Sequence, residues 1–171
     1  MKTFYLAALF TGLFAACMQY EKKDTAPQAN SDLYQLINTP GAEYDSSLAA
    51  RLGADEYGMQ QYVMAFLKRG PNRDQDSATA ARLQQAHLQN IMRMAESGKL
   101  VLAGPFMDTG AVRGIYIFNV KTVEEARALT ESDPAIQAGR LVMDLHPWYG
   151  SAVMPLINPL HKRLEKTSVA E

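Results

Sequence analysis

Cysteine is almost missing from this sequence: its 171 residues hold one, Cys17, so no disulfide can form within the chain. Net charge is missing too, since 17 Lys and Arg against 18 Asp and Glu leave −1 at pH 7. The basic residues are scattered and never form a dense run, which excludes the electrostatic footprint of a nucleic-acid binder. No hydrophobic run reaches the roughly 20 residues that a membrane-spanning helix needs. No glycine-rich run opens a helix, so Gly104-Pro105 is not a phosphate loop. Histidine is sparse, with three in all. The spacing of His87, Asp144, His146 and His161 matches no zinc pattern, and no metal site is expected. Beside His87 stands no Ser or Cys motif, which argues against nucleophilic catalysis. The length suits one domain with extensions, and an apolar fraction of 47% is ordinary for a globular core.

What is present begins at the N-terminus. Lys2 precedes a run of thirteen apolar or small residues, Phe4 to Ala16, which ends directly at Cys17. Its length and single basic flank fit the hydrophobic region of an export signal. An ordinary signal-peptidase site needs a small residue at −3, where Phe14 is large. Leu13-Phe14-Ala15-Ala16-Cys17 instead resembles a bacterial lipobox, with Phe where Leu is usual. The resemblance implies a lipoprotein signal peptide over 1–16 and lipidation at Cys17. It also implies an exported protein on the periplasmic or cell-surface side, touching the membrane only through its lipid anchor. Residues 17–59 then hold the lipidated cysteine, a polar tether and a short helix over 46–52, stopped by Gly53.

From Gln60 the pattern changes to that of a packed domain, expected over 60–150. Gln60 to Lys68 is rich in aromatic and branched residues and reads as a strand. A helix follows from a cap at Ser77 to Ser97, closed by Gly98. Lys99 to Pro105 and Arg113 to Val120 read as the next two strands. Thr122-Val123-Glu124-Glu125 is a capping box opening a second helix, to about Ser132. Asp133-Pro134 starts a separate helical turn, and Arg140 to Trp148 alternates as the last strand. The order is β-α-β-β-α-β, the ferredoxin-like split arrangement of the α+β class. Both faces of the first and third strands are apolar, so a bare sheet face predicts a homodimer, sheet against sheet. Residues 151–171 read as a Pro-broken tail.

Two residues stand out for chemistry. His87 lies in the apolar stripe of the first long helix, one turn from Leu83 and Ile91. It reads either as a core histidine satisfied by a backbone carbonyl or as a group that moves protons near neutral pH. Asp133 precedes Pro134 and is a natural N-cap, a role compatible with facing a pocket. Lys68, Arg69 and Arg73 flank the first loop, either as solvated charges or as hosts of an anionic ligand.

The chain resembles the YCII (YciI-like) family. The likeness rests on Ala86-His87-Leu88, on Gly98-Lys99-Leu100 leading to Ala103-Gly104-Pro105, on Glu124-Glu125-Ala126, on Asp133-Pro134 and on Pro147-Trp148. It implies the split fold, a dimeric α/β barrel, and a histidine–aspartate pair that carries over to His87 and Asp133. In the split fold both helices cover one face of the sheet, so the two side chains are expected within about 8 Å of each other, directly or through one water. The implied function is cofactor-free acid/base chemistry on a small cyclic or aromatic substrate. The alternative is a non-catalytic small-molecule-binding or interaction module. An export signal and tether set this chain apart from the typical member.

Overall fold

The computed structural model describes residues 44–170, so the Cys17 junction, the export segment and most of the tether lie outside the described residues. In chain order the elements are α1 (Ser46–Leu52), β1 (Met59–Arg69), α2 (Ser77–Glu96), β2 (Leu100–Pro105), β3 (Val112–Phe118), α3 (Val123–Glu131), α4 (Pro134–Gln137) and β4 (Leu141–Ser151). A 3₁₀ turn (Met154–Leu156) and α5 (Ile157–His161) follow. The strands form one antiparallel sheet in the order β2-β3-β1-β4. Each β-α-β unit therefore straddles a strand of the other: β1-α2-β2 encloses β3, and β3-α3-α4-β4 encloses β1. This is the ferredoxin-like α+β arrangement.

The helix starts follow from side-chain acceptors. Asp76, rather than Ser77, caps α2, because its carboxylate accepts from both the Thr79 amide and the Thr79 hydroxyl, each at 2.8 Å. Asp45 does the same for α1 at the Leu48 amide. At α3 the capping box forms: Glu125 N–H donates to Thr122 Oγ1 at 3.1 Å, and Thr122 N–H donates to Glu125 Oε2 at 3.2 Å. Gly98, at φ +70, turns the chain from α2 into β2. The last strand runs three residues beyond Trp148, because β4 pairs with β1 from Leu141↔Arg69 through to Ser151↔Met59.

One sheet face packs under the helices. Val63, Ala65 and Leu67 of β1 join Tyr116 and Phe118 of β3 and Leu141, Met143 and Leu145 of β4. They meet Ile91 and Met94 of α2 and Val123, Ala126 and Leu129 of α3. Burying each of the larger side chains contributes roughly 1.5–3 kcal/mol relative to exposure.

The other face differs from the expectation of a wholly bare surface. Tyr62, Met64 and Phe66 align there with Trp148, His146 and Asp144, and Ile117 and Ile115 lie beside Met64 and Phe66. After β4 the chain itself covers one end, packing Met154 into the cluster of Tyr62, Val101 and Ile117. Tyr62 is fully buried, while Met64, Phe66 and Ile115 are half-buried. The segment then reaches the β2 edge, where Asn158 Nδ2 donates to Leu100 O at 2.7 Å. It ends along α2, with Ser168 Oγ 3.2 Å from Met92 Sδ and Gln85 Nε2 donating to Ala170 O. An edge strand that would offer unpaired backbone groups is thereby covered. Among the described residues no helix is long and apolar enough to cross a membrane.

Candidate active site

His87 sits midway along α2 on its inward stripe and is 6% exposed. Its Nδ1 lies 2.7 Å from Asp133 Oδ2, a direct contact across 46 positions of sequence. The fold makes this meeting. Pro134 sets the start of α4, which pushes Asp133 into extended backbone and makes it the cap. The turn lies between α3 and β4, packed against α2.

Asp133 has no exposed surface, yet its carboxylate is well supplied with donors. Ala135 N–H donates to Oδ1 at 2.8 Å, and Asn90 Nδ2 donates to Oδ2 at 3.2 Å, beside the His87 contact. Arg93 donates to Asn90 Oδ1, which fixes the Asn90 amide with its nitrogen toward Asp133. Burial pushes the Asp133 carboxyl pKa up more than any other single effect. The His87 bond and charge, the Ala135 amide and the Asn90 amide together outweigh it and leave the carboxyl below its ordinary value.

An ionised Asp133 can only accept, so His87 Nδ1 carries a proton, and in the neutral imidazole Nε2 then presents a lone pair. That lone pair faces Tyr116 Oη at 3.3 Å. Burial, and then the Asp133 charge, raise the Tyr116 pKa, so the phenol stays protonated and donates. The rings of His87 and Tyr116 lie nearly parallel, 17° apart with centroids 6.3 Å from each other. The result is a buried line of hydrogen bonds, Tyr116 O–H to His87 Nε2 and His87 Nδ1–H to Asp133. It holds the imidazole in one tautomer with a carboxylate behind it, the arrangement that suits a base at Nε2.

Sequence reasoning missed Asn90 and Tyr116. Asn90 lies one turn after His87, and a polar residue at that inward position was its only signal. Tyr116 read as one more aromatic of an apolar strand face. His146 and Asp144 do not join His87, because β4 places them on the opposite face of the sheet. His146 meets Phe66 edge-on at 5.6 Å, and Asp144 pairs with Lys68. His161 lies in α5, 3.6 Å from Glu165. No group of three metal-ligating side chains gathers among the described residues.

A ferredoxin-like α+β domain with a histidine–aspartate pair between helix and sheet defines the class of this protein. Within that class the chain belongs to the YCII-related domain family, whose profile matches residues 61–148. No curated protein matches it in sequence. One solved structure with similarity to it is 5-chloro-2-hydroxyhydroquinone dehydrochlorinase from Burkholderia phenoliruptrix, in complex with 2,5-dihydroxybenzoquinone. Their identity is 17% over 50% of this chain and 92% of that one, with a TM-score of 0.39.

Proposed function

We propose that this protein is a cofactor-free enzyme acting on a small cyclic or aromatic molecule by general acid/base proton transfer. His87 moves the proton and Asp133 orients it. The observation that carries this reading is the 2.7 Å contact between His87 Nδ1 and a buried Asp133 held by two further donors. In such a pair Nε2 takes a proton from the substrate while Asp133 stabilises the imidazolium, and the same proton is returned to another substrate atom. Tyr116, at 3.3 Å, is the weaker partner that a substrate would displace or use as a relay.

The test is turnover of small lactones, quinols and haloaromatics by the wild type and by His87→Ala. The expected loss is roughly 10²- to 10⁴-fold, the size of a general acid/base contribution. A binding module is the second reading. It is favoured by the placement of His87, which has protein partners at both ring nitrogens and is almost fully enclosed. Ligand affinity without turnover of any compound would select it.

The junction at Leu13 to Cys17 supports lipidation at Cys17, an exported location and a membrane contact through lipid alone. The half-buried Met64, Phe66 and Ile115 support a homodimer in which a second sheet packs on this face and completes the dimeric barrel.

A further inference from the structure

Four arginines stand at the end of the sheet where β1 finishes and β3 and β4 begin. Arg69 is the last residue of β1 and pairs in register with Leu141, next to Arg140. Arg73 stands in the β1–α2 loop and donates through Nη1 to Arg140 O at 3.1 Å. Arg113 is the extra residue of β3 between the Leu67↔Gly114 and Lys68↔Val112 pairs, on the strand beside the end of β1. Partial burial first, and then the charges of Arg140, Arg69 and Arg113, lower the pKa of Arg73.

No carboxylate among the described residues forms an ion pair with any of the four. Acidic side chains are close in sequence, but two of them are engaged elsewhere. The Asp76 carboxylate caps α2 at Thr79, and Asp108 Oδ1 accepts from Gly110 N–H at 3.0 Å. Asp74 is exposed in the same loop and pairs with none of them. Lys68, next to Arg69 in sequence, is paired with Asp144 across the sheet.

Three of the guanidiniums are held at one edge by neutral oxygens. Arg73 binds the Arg140 carbonyl, and Arg140 Nη1 donates to Gln75 Oε1 at 2.6 Å. Arg113 Nη1 donates to Asp108 O at 3.2 Å. Neutral acceptors fix direction without cancelling charge, which leaves the remaining N–H groups of each fork to a further acceptor. The backbone beneath is tightly built. Gly70 N–H donates to Arg140 O at 2.8 Å and Asn72 N–H to Gly139 O at 3.0 Å, so the loop that carries Arg73 is bound to the start of β4.

We propose that Arg69, Arg73, Arg113 and Arg140 form a binding site for an oxyanion group, a carboxylate or a phosphate, carried by a small-molecule ligand. Guanidinium forks match both groups in bidentate geometry, and an anion relieves the mutual repulsion of the four cations. The site also adjoins the His87–Asp133 network. Arg140 N–H donates to Ala135 O at 2.9 Å, and Ala135 N–H donates to Asp133 Oδ1 at 2.8 Å. An anion held on Arg140 therefore steadies α4, the short helix that Asp133 caps.

The test is calorimetric titration and thermal unfolding of the purified full chain. Sodium phosphate and sodium benzoate are used as separate probes, each against sodium chloride at equal ionic strength. The comparison protein is the double variant Arg69→Gln/Arg73→Gln, and Arg73→Lys alone serves if that variant does not fold. Saturable binding of phosphate, benzoate or both to the wild type is expected, with affinity lower by roughly tenfold or more in the variant. Preference for one probe tells which oxyanion the ligand carries. The proposal is overturned if neither probe acts beyond chloride, or if the variant responds as the wild type does. Because His87→Ala keeps all four arginines, it should retain saturable anion binding even if the acid/base reading fails.

Discussion

Asp133 shows how one residue can serve a helix start and a buried network together. Its Oδ1 satisfies the first turn of α4, and its Oδ2 is shared by His87 and Asn90. In Asp133→Asn one oxygen becomes an amide that must face donors, so the variant should lose about 2–3 kcal/mol near neutral pH. The pH dependence follows from the sign of the shift. The folded pKa lies below the ordinary value of 3.8, so the stabilisation is complete above about pH 5 and is lost as pH falls through the depressed folded value. Urea midpoints of both proteins from pH 7 down to pH 3 check this, with the gap between them narrowing at the acid end. Tyr116→Phe removes a single 3.3 Å contact and keeps the ring packed against Phe118 at 5.7 Å. It should cost about 1 kcal/mol and leave the far-UV circular dichroism of the fold in place.

At the level of elements, the β1–α2 loop and the α4–β4 turn behave as one joint. A Cβ built on Gly70 would overlap the carbonyl of Gly139, and neither backbone has room to move because each is hydrogen-bonded to the other. Gly70→Ala should therefore destabilise by roughly 2–3 kcal/mol although it adds one methyl group, read as a lowered thermal midpoint. Gly139 sits at φ +68 and closes α4 in the left-handed region, where other residues are strained. Both glycines stand beside the elements that carry Asp133 and Arg140. Local backbone fit thus sets the position of the candidate site.

For the whole molecule, the open sheet face is where the proposed dimer is tested. The chain's own C-terminal segment covers Tyr62 and Ile117, and Met64, Phe66 and Ile115 stay half-buried. If a second copy covers them, Phe66→Glu should convert a dimer into a monomer at micromolar concentration, measured by light scattering with the fold retained by circular dichroism. A wild type that is monomeric from the outset rejects the dimer. Anchoring is checked at Cys17: Cys17→Ser should leave the signal peptide uncleaved or release the protein from membranes. Equal membrane retention with an unchanged mature mass would contradict lipidation.

The order β-α-β-β-α-β was legible from the sequence because its signals are local. Aromatic and branched residues from Tyr62 to Leu67 mark a strand, the Thr122–Glu125 capping box marks a helix start, and Asp133-Pro134 cannot continue a helix. His87 and Asp133 could be singled out for similar reasons, one as a polar break in an apolar stripe and the other as a cap. Their partners Asn90 and Tyr116 could not. Arg69 and Arg73 could be read as hosts for an anion, but Arg113 and Arg140 beside them come from separate elements, and nothing in local propensity says which helix turn meets which strand position. Strand register and helix packing decide that. A β-bulge at Arg113, the pairing of Arg69 with Leu141, and the seating of α4 against α2 set where these groups stand. The C-terminal segment is the clearest case. Its proline-broken sequence has no periodicity of its own, and its place follows from the apolar end of the sheet and the uncovered β2 edge that it meets once the domain has formed.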